Sequence, residues 1–316
     1  MKARKAIIVG SEGQDGRLLF DKLCDDHWFV IGLGRDSVRS NDVTPRHFDI
    51  ASREAVKASL HELNPHAIFY LPAVHASSDA AAKEDDDVLF ERSLQVHAQY
   101  AVNFLEALSA YGSDASFFYA GSSHVFAGAD VEKQTEDTPL APRSIYAITK
   151  TAGIQACRYY RAEKKVRASV GFLYNHESHL RPEGFVSRRI VSAAVKAARG
   201  DEDKLVLGDL GACVDWGYAP DFVDAMVLIS ELPAADDYIV ATGEPHSVRD
   251  FVEAAFEYVG ADWRNYVVER PSQLTRRLPT LIGDPRRLKE RTGWRPTVSF
   301  REMVRTLVDQ AGTSAA

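Results

Sequence analysis

The chain has 316 residues, of which 45% are hydrophobic and 26% charged, and its 45 acidic and 38 basic side chains give a net charge of -7. This acidic balance excludes a general basic surface for nucleic acid. No apolar run is long enough for a membrane span or a signal peptide. We therefore expect neither a nucleic acid nor a membrane as a partner. The three cysteines have no metal-ligand spacing, so we expect reduced thiols in the cytoplasm and no metal site.

Short apolar runs alternate with amphipathic segments through the first half of the chain. Each run predicts a buried parallel strand, and each amphipathic segment predicts the helix that follows it. The predicted strands are residues 6–9, 29–33, 47–50, 67–71, 116–120 and 167–173. One helix is predicted to begin near residue 14, and three more are predicted at residues 53–63, 89–111 and 146–164. This alternation predicts an α/β fold, a doubly wound parallel sheet with right-handed crossovers.

After residue 174 the pattern becomes less regular. The predicted helices are near residues 185–199, 220–232, 247–260 and 300–310, and the predicted strands are 204–207 and 238–241. We therefore expect residues 175–316 to form mainly a smaller, mixed α/β lobe, with segments near 215–243 returning to the large domain of residues 1–174. No linker rich in glycine, serine or proline separates the two, so we expect a ligand pocket at their interface.

A glycine-rich turn, Gly10-Ser-Glu-Gly13-Gln-Asp-Gly16, follows the first predicted strand and opens the first predicted helix. This is the context of a dinucleotide-binding turn in a Rossmann domain. Gly10 permits a tight turn, Gly13 lets backbone N–H groups approach a pyrophosphate, and Gly16 lets helix and strand pack closely. Together with Gln14 and Asp15, these residues predict that residues 1–174 bind a dinucleotide cofactor and leave the smaller lobe to bind substrate.

The end of the second predicted strand bears on which dinucleotide binds. An acidic residue there pairs with the ribose diol of NAD, whereas an arginine suits the 2′-phosphate of NADP. Arg35 therefore favours NADP, while the neighbouring Asp36 leaves NAD open. Four further residues at strand ends are expected to line the cofactor, namely Asp49, Ile50, Leu71 and Ala73.

Tyr146 and Lys150 lie four residues apart, which places both on one face of a helix. An ammonium group beside a phenol favours the phenolate and makes the tyrosine a usable acid or base near neutral pH. With the hydroxyl of Ser122 upstream, the three residues can take a proton from a sugar alcohol while a hydride leaves its carbon. The spacing alone is also that of an ordinary exposed pair, and its meaning comes from the dinucleotide-binding turn before it.

Several longer stretches carry a resemblance to a known family. They are residues 13–16, 142–150, 175–178 (Asn-His-Glu-Ser), 185–190, 215–226, 241–249, 283–285 and 293–296. On these stretches the chain resembles the extended short-chain dehydrogenase/reductases and, among them, the GDP-mannose 4,6-dehydratases. The resemblance covers nearly the whole chain.

The resemblance implies an NADP-dependent lyase of deoxysugar biosynthesis. Such an enzyme oxidises C4 of the hexose of a GDP-sugar, eliminates water across C5 and C6, and returns the hydride to C6. It implies Tyr146 as the base at the C4 hydroxyl, Lys150 on the nicotinamide ribose, and Ser122 on the C4 oxygen. Five further contacts are implied, with His176 and Arg181 touching the cofactor and Asn175, Val186 and Arg189 touching the nucleotide-sugar.

The chain departs from the family pattern at four places. His124 stands where the family has the glutamate that serves as acid and base in the elimination, and histidine can also transfer protons near neutral pH. Val214 stands where an arginine for the diphosphate is expected. The arginine expected before Gly283 does not align cleanly, and we assign Arg276 to the substrate, with Arg270 and Arg277 as alternatives. The loop after the second strand is shorter than in the family.

Three functions remain open on these residues. The first is a GDP-sugar 4,6-dehydratase with His124 as acid and base. The second is a GDP-sugar 4-ketoreductase or 4-epimerase that uses Ser122, Tyr146 and Lys150 without elimination. The third is a non-catalytic NAD(P)-binding protein.

The resemblance also implies a homodimer, with a tetramer as the alternative. Two predicted helices, residues 89–111 and 146–164, would pair with those of a second copy. Val96, Tyr100 and Phe104 have the helical spacing for such an interface, and the same spacing equally suits packing on the chain's own sheet.

Overall fold

A computed structural model describes residues 4–35, 37–41, 49–74, 85–270 and 280–314 of the chain. The strands are β1 Lys5–Val9, β2 Phe29–Leu33, β3 Val38–Ser40, β4 Ala67–Tyr70, β5 Ser116–Ala120, β6 Ala168–Leu173, β7 Asn175–Glu177, β8 Leu205–Leu207, β9 Cys213–Tyr218, β10 Asp237–Val240, β11 Pro245–Ser247 and β12 Val267–Glu269. The helices are α1 Gln14–Asp25, α2 Arg53–Leu63, α3 Asp86–Leu94, α4 Tyr100–Tyr111, α5 Ile145–Lys164, α6 Val186–Ala198, α7 Ala219–Glu231, α8 Val248–Tyr258, α9 Arg286–Thr292 and α10 Phe300–Ser314. None of these helices combines the length and the apolar character needed to cross a bilayer.

The main sheet contains seven of the described strands in the order β10-β6-β5-β4-β1-β2-β3. Neighbouring strands run parallel, except β3, which pairs antiparallel with β2 at the edge. The chain order reverses between β1 and β4, and at such a switch point the loops leaving the two strands diverge and open a crevice. The predicted doubly wound parallel sheet is confirmed, and its switch point predicts a ligand crevice at the carboxyl ends of β1 and β4.

Two details of the sheet differ from the prediction. The edge strand β3 was not predicted, because three half-buried residues carry too little periodicity. The strand predicted at residues 47–50 is wrong where it can be compared, since Asp49 and Ile50 lie in a turn that leads into α2. His47 and Phe48 lie outside the described residues.

Aromatic side chains pack between the main sheet and α4. Tyr70 of β4 and Tyr119 of β5 stack with ring centroids 5.9 Å apart, and Phe104 of α4 meets the edge of Tyr70 at the same centroid distance. All three side chains are fully buried. Phe104 therefore packs in the chain's own core rather than on a surface open to a second copy.

A second hydrophobic core lies in the later part of the chain. It is formed by α6, α8 and α10, which pack on one another around Trp216 of β9. In contrast, α7 and β10 return to the main sheet, where Phe222, Met226 and Ile239 join the first core. The later residues thus divide between two cores.

The carboxylate of Asp215 joins β9 to two loops near the junction of the two cores. It accepts hydrogen bonds from the backbone N–H groups of Thr242 (2.9 Å), Gly243 (3.0 Å) and Gly283 (3.2 Å) and from the Thr242 hydroxyl (2.6 Å). The side chain is 1% exposed, so these donors satisfy the carboxylate in place of water. Three of the stretches that carry the family resemblance are therefore held together by one buried acid, which gives them a structural role.

Candidate active site

The residues predicted to bind the cofactor or to take part in the reaction converge at the carboxyl edge of the main sheet. The glycine turn leaves β1, residues 71–74 leave β4, and the 3-10 helix Ser123–Phe126 follows β5. The first turns of α5 face the same edge, since Lys150 of α5 contacts the backbone just after β4 and at the end of β5. Parallel strands therefore bring to one crevice residues that are far apart in the sequence.

The glycine turn fits the pyrophosphate of a dinucleotide. Gly10 has φ +84°, and a Cβ on Gly16 would lie 2.3 Å from the Gly10 carbonyl oxygen, so neither position accommodates a side chain without strain. Helix α1 starts after Gly13 with no side-chain cap, which leaves its first N–H groups for an anionic ligand. This turn can hold a diphosphate through backbone donors alone.

Asp15 and His176, both predicted to contact the cofactor, contact each other. His176 Nε2 lies 2.9 and 3.0 Å from the two Asp15 carboxylate oxygens, and His176 Nδ1 lies 2.6 Å from the Tyr174 carbonyl oxygen. Burial disfavours charge on both groups, but their pairing outweighs it, raising the pKa of His176 and lowering the pKa of Asp15. The result is a buried ion pair between the glycine turn and β7.

Gln14 strengthens the same junction. Its amide donates to Asp15 Oδ1 and to the His176 carbonyl oxygen, both at 3.1 Å, and its carbonyl accepts from the Ser178 hydroxyl at 2.9 Å. Arg181 lies beside this group, with its Nε 3.4 Å from a carboxylate oxygen of Glu177. Its positive charge acts on Asp15, His176 and Tyr146 alike.

Tyr146 stands in the first turn of α5, where the Ser144 side chain caps the helix by accepting from the Ala147 N–H. Burial raises the pKa of the Tyr146 phenol, while a hydrogen bond with the Ser122 side chain and the charge of Arg181 lower it. The cation that favours the phenolate here is therefore Arg181, whereas the sequence suggested Lys150. Ser122 and Tyr146 are brought together as predicted for a shared oxygen site.

His124 lies against the edge of the Tyr146 ring. The two ring centroids are 5.9 Å apart at an interplanar angle of 80°. The His124 backbone N–H donates to Ser122 Oγ at 3.3 Å, and the half-buried side chain sits in the 3-10 helix that begins right after Ser122. An imidazole, a phenol and a hydroxyl thus share one side of the crevice.

Lys150 is 1% exposed and lies beneath this group. Its Nζ donates to the carbonyl oxygens of Pro72 (2.9 Å) and Ala120 (2.8 Å) and lies 5.1 Å from the Tyr119 ring centroid. Burial lowers the pKa of Lys150 to about 7 against the opposing charge of Asp15. The amine is thus held between the ends of β4 and β5.

His97, which the sequence did not suggest, supports the same residues from behind. Its ring meets Tyr146 edge to face with centroids 5.3 Å apart, and its side chain is 0% exposed. Nε2 accepts from the Val74 N–H (2.8 Å), so the ring is neutral and Nδ1–H donates to Thr149 Oγ1 (2.8 Å), which donates on to the Ile145 carbonyl (2.9 Å). His97 ties residues 71–74 to α5, and with them the Pro72 carbonyl that holds Lys150.

A π-helical turn, Gln95–Gln99, places His97 in this position between α3 and α4. Two phenol hydroxyls donate to backbone carbonyls of the turn, Tyr70 to Val96 O at 2.5 Å and Tyr119 to His97 O at 2.7 Å. A π-helical turn inside an α-helix is rare and is often found at functional sites. No short-range pattern in the sequence predicts it.

The remaining predicted residues are spread over several elements of the fold. Arg189 of α6 donates to the Val206 carbonyl (2.7 Å), and Asn175 and Val186 are half-buried at the starts of β7 and α6. Asp49 lies in an exposed turn, where it accepts from the Ala51 N–H at 2.8 Å. Leu71 and Ala73 follow β4, Arg35 is exposed after β2, and Ile50 is half-buried beside Asp49. Asp36, Arg276 and Arg277 lie outside the described residues.

The chain is similar to known proteins over nearly its whole length. The family model described as GDP-mannose 4,6 dehydratase matches residues 7–307. "GDP-mannose 4,6 dehydratase 1" of Arabidopsis thaliana is 33% identical over 98% of this chain and 90% of its own length.

Two solved structures share the fold. RMD from Pseudomonas aeruginosa, complexed with NADPH, is 21% identical with a TM-score of 0.81, covering 98% of this chain and 100% of its own. The dTDP-glucose 4,6-dehydratase of Bacillus anthracis, in complex with NAD, is 16% identical with a TM-score of 0.81, covering 99% and 97%. At these identities the likeness concerns the fold alone.

Replacing His97 by phenylalanine should impair turnover more than substrate binding. The variant keeps a ring beside Tyr146 but cannot accept from Val74 or donate to Thr149, so the Pro72 carbonyl loses its anchor. We expect kcat for nucleotide-sugar dehydration to fall roughly tenfold to hundredfold, as for other small misplacements of reacting groups. The KM for the sugar should change less than about threefold, because the second lobe is untouched.

His66→Phe is the matched control, since His66 also accepts a backbone hydrogen bond, from Lys5 N–H at 3.0 Å, but precedes β4 at the opposite edge of the sheet. His97→Gln, which can donate and accept again, should recover part of the lost kcat. A His97→Phe variant with wild-type kcat would show that the imidazole does not position the site.

Proposed function

The chain belongs to the GDP-mannose 4,6-dehydratase family, and from that premise we propose that it converts GDP-mannose or a related GDP-sugar into its 4-keto-6-deoxy derivative. The observation that carries the proposal is the cluster at the carboxyl edge of the sheet. A phenol, a hydroxyl and an imidazole, from Tyr146, Ser122 and His124, adjoin one another beside a turn suited to a dinucleotide. Oxidation at C4 and elimination across C5 and C6 need these kinds of groups in one place.

The first step assigned to the chain is removal of a proton from the C4 hydroxyl. Tyr146 takes this proton, and the Ser122 hydroxyl shares the hydrogen bonds of the C4 oxygen as it becomes a carbonyl. Arg181 supports the phenolate through its charge, and we assign Lys150 to the nicotinamide ribose. A nicotinamide bound in the crevice supplies the acceptor for the hydride that leaves C4 and the donor for its return to C6.

The second step is loss of water, and we assign it to His124. The C4 ketone acidifies the proton on C5; His124 removes this proton and delivers it to the C6 hydroxyl, which leaves as water. After the hydride reaches C6, a proton returns to C5 and completes the 4-keto-6-deoxy sugar. His124 suits this exchange because imidazole accepts and donates protons near neutral pH.

The two cores suggest how the ligands divide. We assign the dinucleotide mainly to residues 1–174, through the glycine turn and Asp15, with His176 and Arg181 reaching it from just beyond that domain. We assign the GDP-sugar to the second lobe, with Asn175, Val186, Arg189 and Arg276 as contacts. Arg35 supports NADP as the form of the cofactor, and NAD is the alternative.

We propose a homodimer formed through α3 and α5, which pack side by side. Five large apolar side chains on these helices are exposed, Val88 (49%), Phe90 (37%), Leu94 (38%), Ile148 (43%) and Tyr159 (52%). Phe90 and Leu94 share one helix face, and so do Ile148 and Tyr159, which are three turns apart. Exposed apolar side chains on two neighbouring helices are typical of an interface.

Isotope transfer tests the dehydratase proposal. Incubation of the purified chain with GDP-mannose deuterated at C4 and catalytic cofactor should move the deuterium into a new C6 methyl group. In D₂O, unlabelled substrate should gain one deuterium at C5, because the C5 proton exchanges with solvent. Both labels can be read by NMR of the product.

The alternatives give different spectra. Net consumption of NADPH with a 4-keto-sugar, or an inverted C4 hydroxyl with C6 unchanged, would replace the dehydratase by a ketoreductase or an epimerase. Failure to alter any GDP-hexose or GDP-heptose would favour a non-catalytic dinucleotide-binding protein.

His124→Ala should separate the two steps. We expect overall dehydration to fall by roughly 10²–10⁴-fold, the usual contribution of a positioned acid or base. Reduction of bound cofactor at 340 nm should still occur in a single turnover, because Tyr146 and Ser122 remain. Tyr146→Phe, the matched control, should lose this first reduction as well.

His124→Glu tests the nature of the group, since it keeps an acid and base at the same position. It should recover part of the dehydration that His124→Ala loses. If His124→Ala dehydrates at the wild-type rate, the imidazole has no part in the elimination.

Ile148→Glu should convert the dimer into monomers in sedimentation velocity, because a buried unpaired carboxylate is costly at an interface. Val131→Glu is the control, since Val131 is 44% exposed but lies outside α3 and α5. A wild-type chain that sediments as a monomer at micromolar concentration would contradict the assignment.

A further inference from the structure

The side chain of Glu12, from the glycine turn, lies against the carboxyl end of β2. One carboxylate oxygen accepts from the Arg35 N–H at 3.2 Å, and the other accepts from the Ser37 hydroxyl at 2.5 Å. Gly34 makes the approach possible, because a Cβ there would lie 2.4 Å from the Glu12 carboxyl carbon. The carboxylate therefore sits directly on the end of the second strand.

This end of β2 is where a Rossmann domain distinguishes its two dinucleotides. The adenosine ribose of the cofactor lies there, and an acidic side chain accepts hydrogen bonds from its 2′- and 3′-hydroxyls. A 2′-phosphate needs donors and positive charge in the same place. Here a backbone N–H and a hydroxyl that could donate to a phosphate are bonded to the Glu12 carboxylate instead.

The positive charges near Glu12 do not cancel the effect of its carboxylate on a 2′-phosphate. The hydrogen bonds from Ser37 and the Arg35 backbone, followed by the charges of Arg17 and Arg35, lower the pKa of Glu12, so it is ionised near neutral pH. Arg35 offers a guanidinium to a phosphate, but the phosphate would have to displace or lie beside an ionised carboxylate. Like charges at such a separation repel, although solvent weakens the effect.

We propose that Glu12 is a specificity residue that favours NAD over NADP, by accepting from the ribose hydroxyls and repelling a 2′-phosphate. The proposal rests on the proposed function only in that a nicotinamide dinucleotide binds at the glycine turn. It reverses the preference that Arg35 alone suggests, because an acid contributed by the first loop takes the place of one at the end of the second strand.

Direct binding tests this assignment without turnover. NADH and NADPH are titrated into the full chain at low ionic strength, and the dissociation constants are read from the nicotinamide fluorescence. The wild-type chain should bind NADH more tightly than NADPH. Glu12→Gln, which removes the charge at nearly constant shape, should tighten NADPH by about tenfold and leave NADH unchanged or a few-fold weaker.

Two controls sharpen the result. Glu54→Gln removes an exposed carboxylate from the first turn of α2 and should change neither constant. Arg35→Ala should weaken NADPH more than NADH. The gain of Glu12→Gln for NADPH should also shrink as the salt concentration rises, since the effect is electrostatic.

Other results of these titrations would contradict the proposal. A Glu12→Gln variant that changes both dissociation constants by the same factor, or neither, would overturn the role of Glu12, as would a wild-type preference for NADPH. If the wild-type chain binds neither dinucleotide, the proposed function fails, and this inference fails with it.

Discussion

The burial of the Lys150 amine is the constraint on which the rest of the crevice depends. An amine shielded from water must find acceptors, and here two backbone carbonyls, those of Pro72 and Ala120, supply them. These carbonyls are held in place only if the chain leaves β4 and β5 in defined directions. The neutral ring of His97 sets the first direction through Val74, and it reaches that point because the chain forms a π-helical turn. A single buried nitrogen thus accounts for much of the architecture behind Tyr146.

The sequence predicted the features that depend on local patterns. Five predicted strands of the first half lie in the main sheet, and α2 and β5 begin and end where the apolar periodicity and the Ser52 cap placed them. The glycine turn and the Tyr146–Lys150 spacing were recognisable because their residues are close together in the chain. The two predictions that failed concern short segments with weak patterns, namely the edge strand β3, which was missed, and the strand expected at residues 47–50.

Contacts between distant residues were beyond reach of the sequence. His97 meets Val74 and Thr149 across 23 and 52 positions, and Glu12 meets Arg35 and Ser37 only because β1 and β2 lie side by side. His97 belongs to no motif, and Glu12 fills a non-glycine position of the glycine turn. By contrast, the distinctive stretch that begins at Asp215 has a structural role, since the Asp215 carboxylate accepts hydrogen bonds from neighbouring loops. A distinctive stretch of sequence can therefore mark a fold requirement as readily as a chemical one.

The ion pair between Asp15 and His176 has a thermodynamic consequence. It joins the turn suited to the dinucleotide with β7, the first strand beyond the large domain, so each side of the crevice is part of the other's electrostatic surroundings. Suppose a ligand on one side strengthens or weakens the pair. If this changes the affinity of a ligand on the other side by some factor, linkage requires that the second ligand change the affinity of the first by the same factor. The two ligands of this crevice are coupled wherever both act on that shared pair of charges.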